Sequence, residues 1–139
     1  MTILHASTVA FGRAGGILIL GPSGSGKSTL ALRLIGAGAQ LVADDRTIVM
    51  AKGGRLFARA PRAIAGLVEA RGLGIVRLLP LRLVQLRLVV DLAAPGPARM
   101  PPETMHDLEG VTLPLLPAAN GDAFIAALRH YVAEVNPKA

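Results

Sequence analysis

Gly21-Pro22-Ser23-Gly24-Ser25-Gly26-Lys27-Ser28 matches G-x-x-x-x-G-K-[ST] at every position, and its surroundings suit that pattern. Ile17 to Leu20 in front of it is a continuous apolar run, the composition of a buried strand. From Lys27 to about Ala37 apolar residues recur at helical spacing, Leu30 with Leu34 and Ala31 with Ile35, and Gly36 and Gly38 supply the stop. A strand, a glycine-rich loop and a helix in this order make a phosphate cradle. Glycines let backbone N–H groups turn inward on phosphate oxygens, and the helix N-terminus adds positive potential. Lys27 is placed to reach the β- and γ-phosphates, and Ser28 to offer its hydroxyl to Mg²⁺.

Working outward, Ala6 to Phe11 reads as a strand turning at Gly12 to Gly16 into the strand before the loop. After the helix, Leu41-Val42-Ala43 is a short buried strand ending at Asp44-Asp45. Thr47 to Met50 and Arg55 to Arg59 flank Gly53-Gly54, a two-residue hairpin signal. Leu83 to Leu92 alternates Leu83, Leu86, Leu88 and Val90 with Arg82, Arg87 and Asp91 well enough for a long strand. Pro95 to Pro102 is expected as loop and Val111 to Leu116 as a last strand. Asn120 is expected to cap a final helix through Val135, with Phe124, Leu128 and Val132 on one face and Pro137 ending it. The expectation is a single α/β domain over residues 1–139, strand-rich with few helices.

Composition fits this reading. A hydrophobic content of 52% supplies a core, and with 3% aromatics that core must be built from Ala, Leu, Val and Ile. The net charge of +6 is mostly arginine, scattered and without interleaved aromatics. That favours polyphosphate and an acidic protein partner over nucleic acid. No cysteine is present, excluding disulfides and thiolate metal sites. No signal peptide or bilayer-length apolar run is seen, so a cytoplasmic protein without membrane association is expected.

Phosphoryl transfer also needs carboxylates, to hold Mg²⁺ and to deprotonate the nucleophile. Asp44-Asp45 and Asp91 both end apolar runs. Adjacent carboxylates at a strand end point to different sides, so one of the pair can face a metal and the other an acceptor. Asp91 is expected to be a surface acid on an exposed strand, although its position suits a metal ligand in a small-metabolite kinase. His5 opens the first strand; His106 and His130 carry no motif. Besides the metabolite kinase, a nucleotide-binding regulator that no longer catalyses is the other class to weigh.

Taken together, His5, the loop Gly21–Ser28, Asp44-Asp45-Arg46 and the run Glu69-Ala70-Arg71-Gly72-Leu73-Gly74-Ile75 resemble the catalytic domain of HPr kinase/phosphorylase. The resemblance is densest from His5 to Ile75. It implies a fold related to the nucleotide domain of phosphoenolpyruvate carboxykinase. It also implies ATP-dependent phosphorylation of a serine in the small carrier HPr, reversal by phosphorolysis, and a hexameric enzyme. By position, Asp44 would be the base, with His5, Lys27 and Arg71 completing the catalytic set. Ser28, Asp45 and Glu69 would bind Mg²⁺. The nucleotide would be held by Gly21, Pro22, Ser23, Gly24, Ser25, Gly26, Lys27, Ser28 and Thr29. The match is to the C-terminal catalytic domain, so a short form without the usual N-terminal domain is expected. Two departures stand out. Ala70 replaces a larger aliphatic residue, and Leu116-Pro117-Ala118-Ala119-Asn120-Gly121 stands where the family has a Pro-Gly-Arg-Asn loop associated with the reverse reaction. Forward kinase activity is therefore expected to exceed phosphorolysis.

Overall fold

The computed structural model describes residues 1–93 and 104–135. The expected loop Pro95 to Pro102 and the helix stop at Pro137 lie outside them. In chain order come β1 (Thr2–Leu4), β2 (Ala6–Ala10), β3 (Gly16–Leu20), α1 (Lys27–Gly36), β4 (Gln40–Ala43), β5 (Thr47–Lys52) and β6 (Arg55–Arg59). A 3₁₀ turn (Arg62–Ile64) leads to β7 (Leu67–Ala70), β8 (Gly74–Arg77), β9 (Val84–Asp91), β10 (Thr104–Leu108), β11 (Val111–Pro117) and α2 (Asp122–Val135). The strand-rich α/β reading holds.

One nine-stranded sheet has the order β1-β5-β6-β9-β3-β2-β4, with β11 also on β9 and β10 beyond it. The long β9 organises it. It runs parallel to β3 on one edge; on the other it pairs with β6 near Val84 and with β11 near Val90. The hairpin between β5 and β6 turns where expected. Gly53 at φ 61 and Gly54 at φ 76 both occupy the left-handed region that a two-residue type I′ turn demands. A separate two-stranded arm, β7–β8, stands off the main sheet.

The core has two halves. On one face of the sheet Ile17, Ile19, Leu88 and Val90 meet Leu30 and Leu34 of α1 and Ile125, Leu128 and Val132 of α2. On the other, Leu18, Leu86 and Val89 meet Val42, Val49 and Leu56. Within β9 the expected simple alternation fails. Gly16 pairs with Leu86 but Ile17 pairs with Leu88, so Arg87 is an extra residue and the strand changes face there. The Arg87 Nε–H donates to the Ala14 carbonyl at 3.0 Å. Leu83 precedes the strand and is exposed. Asp91 corrects a second expectation. It ends a central strand between β3 and β11, not an exposed one, and its carboxylate accepts the Ala93 N–H at 2.8 Å. The final helix starts at Asp122 with Gly121 at φ 96 before it, so Asn120 is not its cap. Leu128 and Val132 are buried as expected, while Ile125 takes the deep position and Phe124 packs only at the margin. No helix among the described residues is long and apolar enough to cross a membrane.

Glu109, in the turn between β10 and β11, ties that hairpin to β1 and β5. The Thr2 hydroxyl donates to it at 2.6 Å, the Ala51 N–H at 3.1 Å, and the Met1 amino group lies 2.9 Å away. These donors, the Thr2 hydroxyl foremost, hold its carboxyl down from the ordinary 4.5 to about 2. A carboxylate depressed on folding stabilises above its unfolded pKa, and loses that contribution as pH falls through the folded value. The tie should therefore be intact above pH 4.5 and loosen as pH falls toward 2. The Ala51 amide chemical shift, titrated over that window, reads it out; a shift that moves at pH 4.5 instead would contradict the tie.

Candidate active site

The phosphate loop is aimed by its neighbours. β3 is buried almost throughout and held between β2 and β9, so the chain leaves Leu20 in a fixed direction. Gly26 sits at φ 103 immediately before α1, and Gly24 at φ 78, values that a side chain would strain. Among the described residues no side chain caps the helix, which leaves its first N–H groups facing the loop. Lys27 is only 6% exposed. Its Nζ donates to the carbonyls of Gly21 at 2.8 Å and Pro22 at 3.1 Å, so the ammonium is held at the mouth of the loop. An ammonium has three donors, and the third is left for an anion. Ser25 Oγ is buried without a hydrogen-bond partner among the described residues, and a Cβ on Gly21 would lie 2.4 Å from it.

Beside the loop, Asp44 is 6% exposed and gathers donors from three elements. The Ser28 hydroxyl lies 2.7 and 2.9 Å from its two oxygens, the Ser7 hydroxyl donates at 2.7 Å, and the Glu69 backbone N–H at 3.0 Å. Thus α1, β2 and β7 are pinned to one carboxylate. Asp45 turns the other way. Its φ of 72 is left-handed, which costs a non-glycine residue roughly 1–2 kcal/mol. Its N–H donates to Ser7 Oγ at 3.2 Å. This reversal sends the Asp45 carboxylate, 59% exposed, to within 2.8 Å of His5 Nε2. With Asp45 ionised, Nε2 carries the hydrogen.

A cleft of about 510 Å³ opens over this arrangement. Of the sequence-predicted residues, His5, Ser23, Gly24, Gly26, Lys27, Ser28, Thr29, Asp45, Glu69 and Arg71 line it. Asp44 lies beneath it, Gly21 and Pro22 hold Lys27 from behind, and Ser25 faces an adjoining cleft that Arg71 also borders. Asp91 lines neither.

The donor set suits Mg²⁺. A serine hydroxyl that spends its hydrogen on Asp44 presents its lone pairs outward, and Glu69 and Asp45 add hard carboxylate oxygens at the same cleft. Among the described residues no three or more acidic or histidine side chains form a ready cage. A cation held by so few protein donors would keep several waters and complete its shell with phosphate oxygens.

Sequence reading gave Ser7 no role, yet it is fully buried and joins both aspartates. Its signal was a pair of hydroxyls, Ser7 and Thr8, beginning two residues after His5 in a short strand that is otherwise apolar. Ser7→Ala leaves one Asp44 oxygen and the Asp45 N–H short of a partner. It should cost about 1–3 kcal/mol of stability, seen as a lowered Tm in thermal melts. An unchanged Tm would remove Ser7 from the network.

Residues 2–82 match the family described as HPr Serine kinase C-terminal domain. The HPr kinase/phosphorylase of Mycoplasmopsis pulmonis is 45% identical over 64 residues, 46% of this chain and 21% of that protein. The one from Clostridium beijerinckii is 49% identical over 61 residues, 44% of this chain and 20% of that protein. The matched stretch thus spans about a fifth of these relatives. The solved HPr(Ser) kinase/phosphatase from Coxiella burnetii superposes with a TM-score of 0.80 at 21% identity, covering 98% of this chain and 99% of that one. That likeness carries the fold. His5, the phosphate loop, the aspartate pair and Glu69 to Ile75 converge on one cleft, and all fall within the stretch that matches. This chain belongs to the HPr serine kinase C-terminal domain family.

Proposed function

We propose that this protein is an ATP- and Mg²⁺-dependent kinase of the cytoplasm that phosphorylates a serine hydroxyl of an HPr-like carrier protein. The observation that carries this reading is the His5–Asp45 pair, 2.8 Å apart, on the wall of the cleft that also holds Lys27 and Ser28. A serine hydroxyl is a poor nucleophile and needs a carboxylate base beside a clamped γ-phosphate.

In this reading the two aspartates divide the work differently from what the resemblance implies. The lone pairs of Asp44 are occupied by Ser7, Ser28 and the Glu69 N–H, and the residue is buried. It positions Ser28. Asp45 faces the open cleft and is the group that can accept the serine proton, with the His5 Nε2–H orienting its carboxylate. Lys27 and Arg71 both line the cleft and would supply positive charge toward the γ-phosphate. Ser28 and Glu69 would hold Mg²⁺, which when bound offsets charge on the β- and γ-phosphate oxygens. Forward transfer is favoured over phosphorolysis, because Ala118, Ala119 and Asn120 bring no cation to the adjoining cleft. A hexameric assembly belongs to the same proposal.

ADP release tests it. Purified protein with Mg²⁺ and ATP should release ADP in proportion to added HPr-like carrier and not to a panel of small hydroxylated metabolites. Turnover driven by a metabolite and indifferent to the carrier would replace this reading with the metabolite kinase.

A further inference from the structure

A depression of about 460 Å³ adjoins the active cleft at the His5–Asp45 pair. His5, Ser23 and Asp45 line both spaces, so they meet at the carboxylate assigned above as the base. The space that adjoins the cleft over Gly24 to Gly26 has neither His5 nor Asp45 on its walls. An acceptor hydroxyl must reach Asp45 while the γ-phosphate is held at Lys27. Of the two adjoining spaces, the depression at His5 is the one that leads to that point.

Its remaining walls carry two features the transfer step does not use. Ile3, on the end strand β1, is 63% exposed, with the half-buried Leu4 beside it. An aliphatic side chain open to solvent at the mouth of a site is apolar surface left for a partner. Arg46 is the other feature. Its backbone is fixed, because its N–H donates to the Asp44 carbonyl at 2.8 Å. Its guanidinium is loosely held: Nε lies 3.9 Å from the Asp45 carboxylate, and both side chains are well exposed. Such a pair contributes little, and among the described residues Arg46 has no other side-chain partner. Most of its five donors are therefore open to an incoming carboxylate.

We infer that this depression selects the acceptor: it seats the residues flanking the acceptor serine, Ile3 against an aliphatic side chain and Arg46 against a carboxylate. The inference rests on the kinase reading above and adds which serines that reading admits. The volume is that of a small-molecule pocket, enough for the side chains around one serine and not for a whole domain face. Charge points the same way. Arg46 stands at the mouth of the site in a chain of net charge +6, which draws in an acidic partner and disfavours a basic one. Arg46 and Ile3 thus determine specificity and leave the chemistry to Asp45 and His5.

Steady-state kinetics with an HPr-like carrier test it. Arg46→Gln should raise KM for the carrier about tenfold, and Ile3→Ser severalfold, with kcat and KM for ATP unchanged. Both side chains are exposed, so both variants should melt like wild type. Carriers in which each acidic residue near the serine is replaced in turn by lysine supply the second arm. Wild type should discriminate against one of them about tenfold, and Arg46→Glu should prefer that same carrier to the native one. Both carriers are compared on one variant, so any effect of a new acid beside Asp45 cancels. Carrier KM unchanged in either Arg46→Gln or Ile3→Ser, or no lysine carrier favoured by Arg46→Glu, would overturn the inference and leave the kinase reading standing. So would a change of oligomeric state in place of a change in KM, which would give this face to a second copy of the chain. A wild-type protein that binds ATP and phosphorylates no carrier would end the kinase reading and this inference with it.

Discussion

Lys27→Ala should lower ATP affinity roughly ten- to a hundredfold, the cost of one charge-assisted contact to phosphate, and should lower transfer by a further ~10²-fold or more. The reason is geometric. The ammonium is already anchored by the Gly21 and Pro22 carbonyls, so its remaining donor and its charge reach a phosphate without reorganisation. Calorimetry with ATP and steady-state kinetics give the two numbers. ATP binding at wild-type strength would overturn the assignment of the loop.

The second large effect separates the aspartates. Asp45→Asn should keep the fold and nucleotide binding and lose about 10²–10⁴ in transfer rate, the range for a general base. Asp44→Asn should behave otherwise. An amide group turns an acceptor into a donor against Ser7, Ser28 or the Glu69 N–H, so Tm should fall and Mg²⁺-dependent nucleotide binding should weaken. The opposite pattern would restore the base to Asp44. That pattern is an inactive Asp44→Asn with normal Tm and nucleotide binding, beside an active Asp45→Asn.

These two residues show where sequence reading stops. The phosphate loop is legible because its signal is local: an apolar strand, fixed glycines and a helix, all within a few residues. The Gly53-Gly54 turn is legible for the same reason. That Asp44 and Asp45 face different ways also follows from strand geometry. Which of them faces the cleft does not, because it is set by φ 72 at Asp45 and by Ser7 from a distant strand. The β7–β8 arm carries Glu69 and Arg71 but has little apolar alternation of its own, with β8 exposed along most of its length. It is positioned by packing against α1 and by the Asp44 bond to the Glu69 N–H, contacts invisible in its own sequence. In β9 one extra residue at Arg87 transfers half the strand to the other face, and an alternating pattern cannot show a slip of one. β1 is three residues long; it pairs with β5, and its Thr2 hydroxyl is held by Glu109, far along the chain.

In the proposed function the cleft moves a phosphoryl group from ATP to a serine of a protein. Mass spectrometry of an HPr-like carrier after incubation with this protein, Mg²⁺ and ATP tests it most directly. The expected result is one added phosphate, mapped to a single serine, absent with Lys27→Ala and absent when that serine is replaced by alanine. Phosphate on a histidine, phosphate that appears equally with Lys27→Ala, or an unmodified carrier in the presence of bound ATP and Mg²⁺ would contradict it.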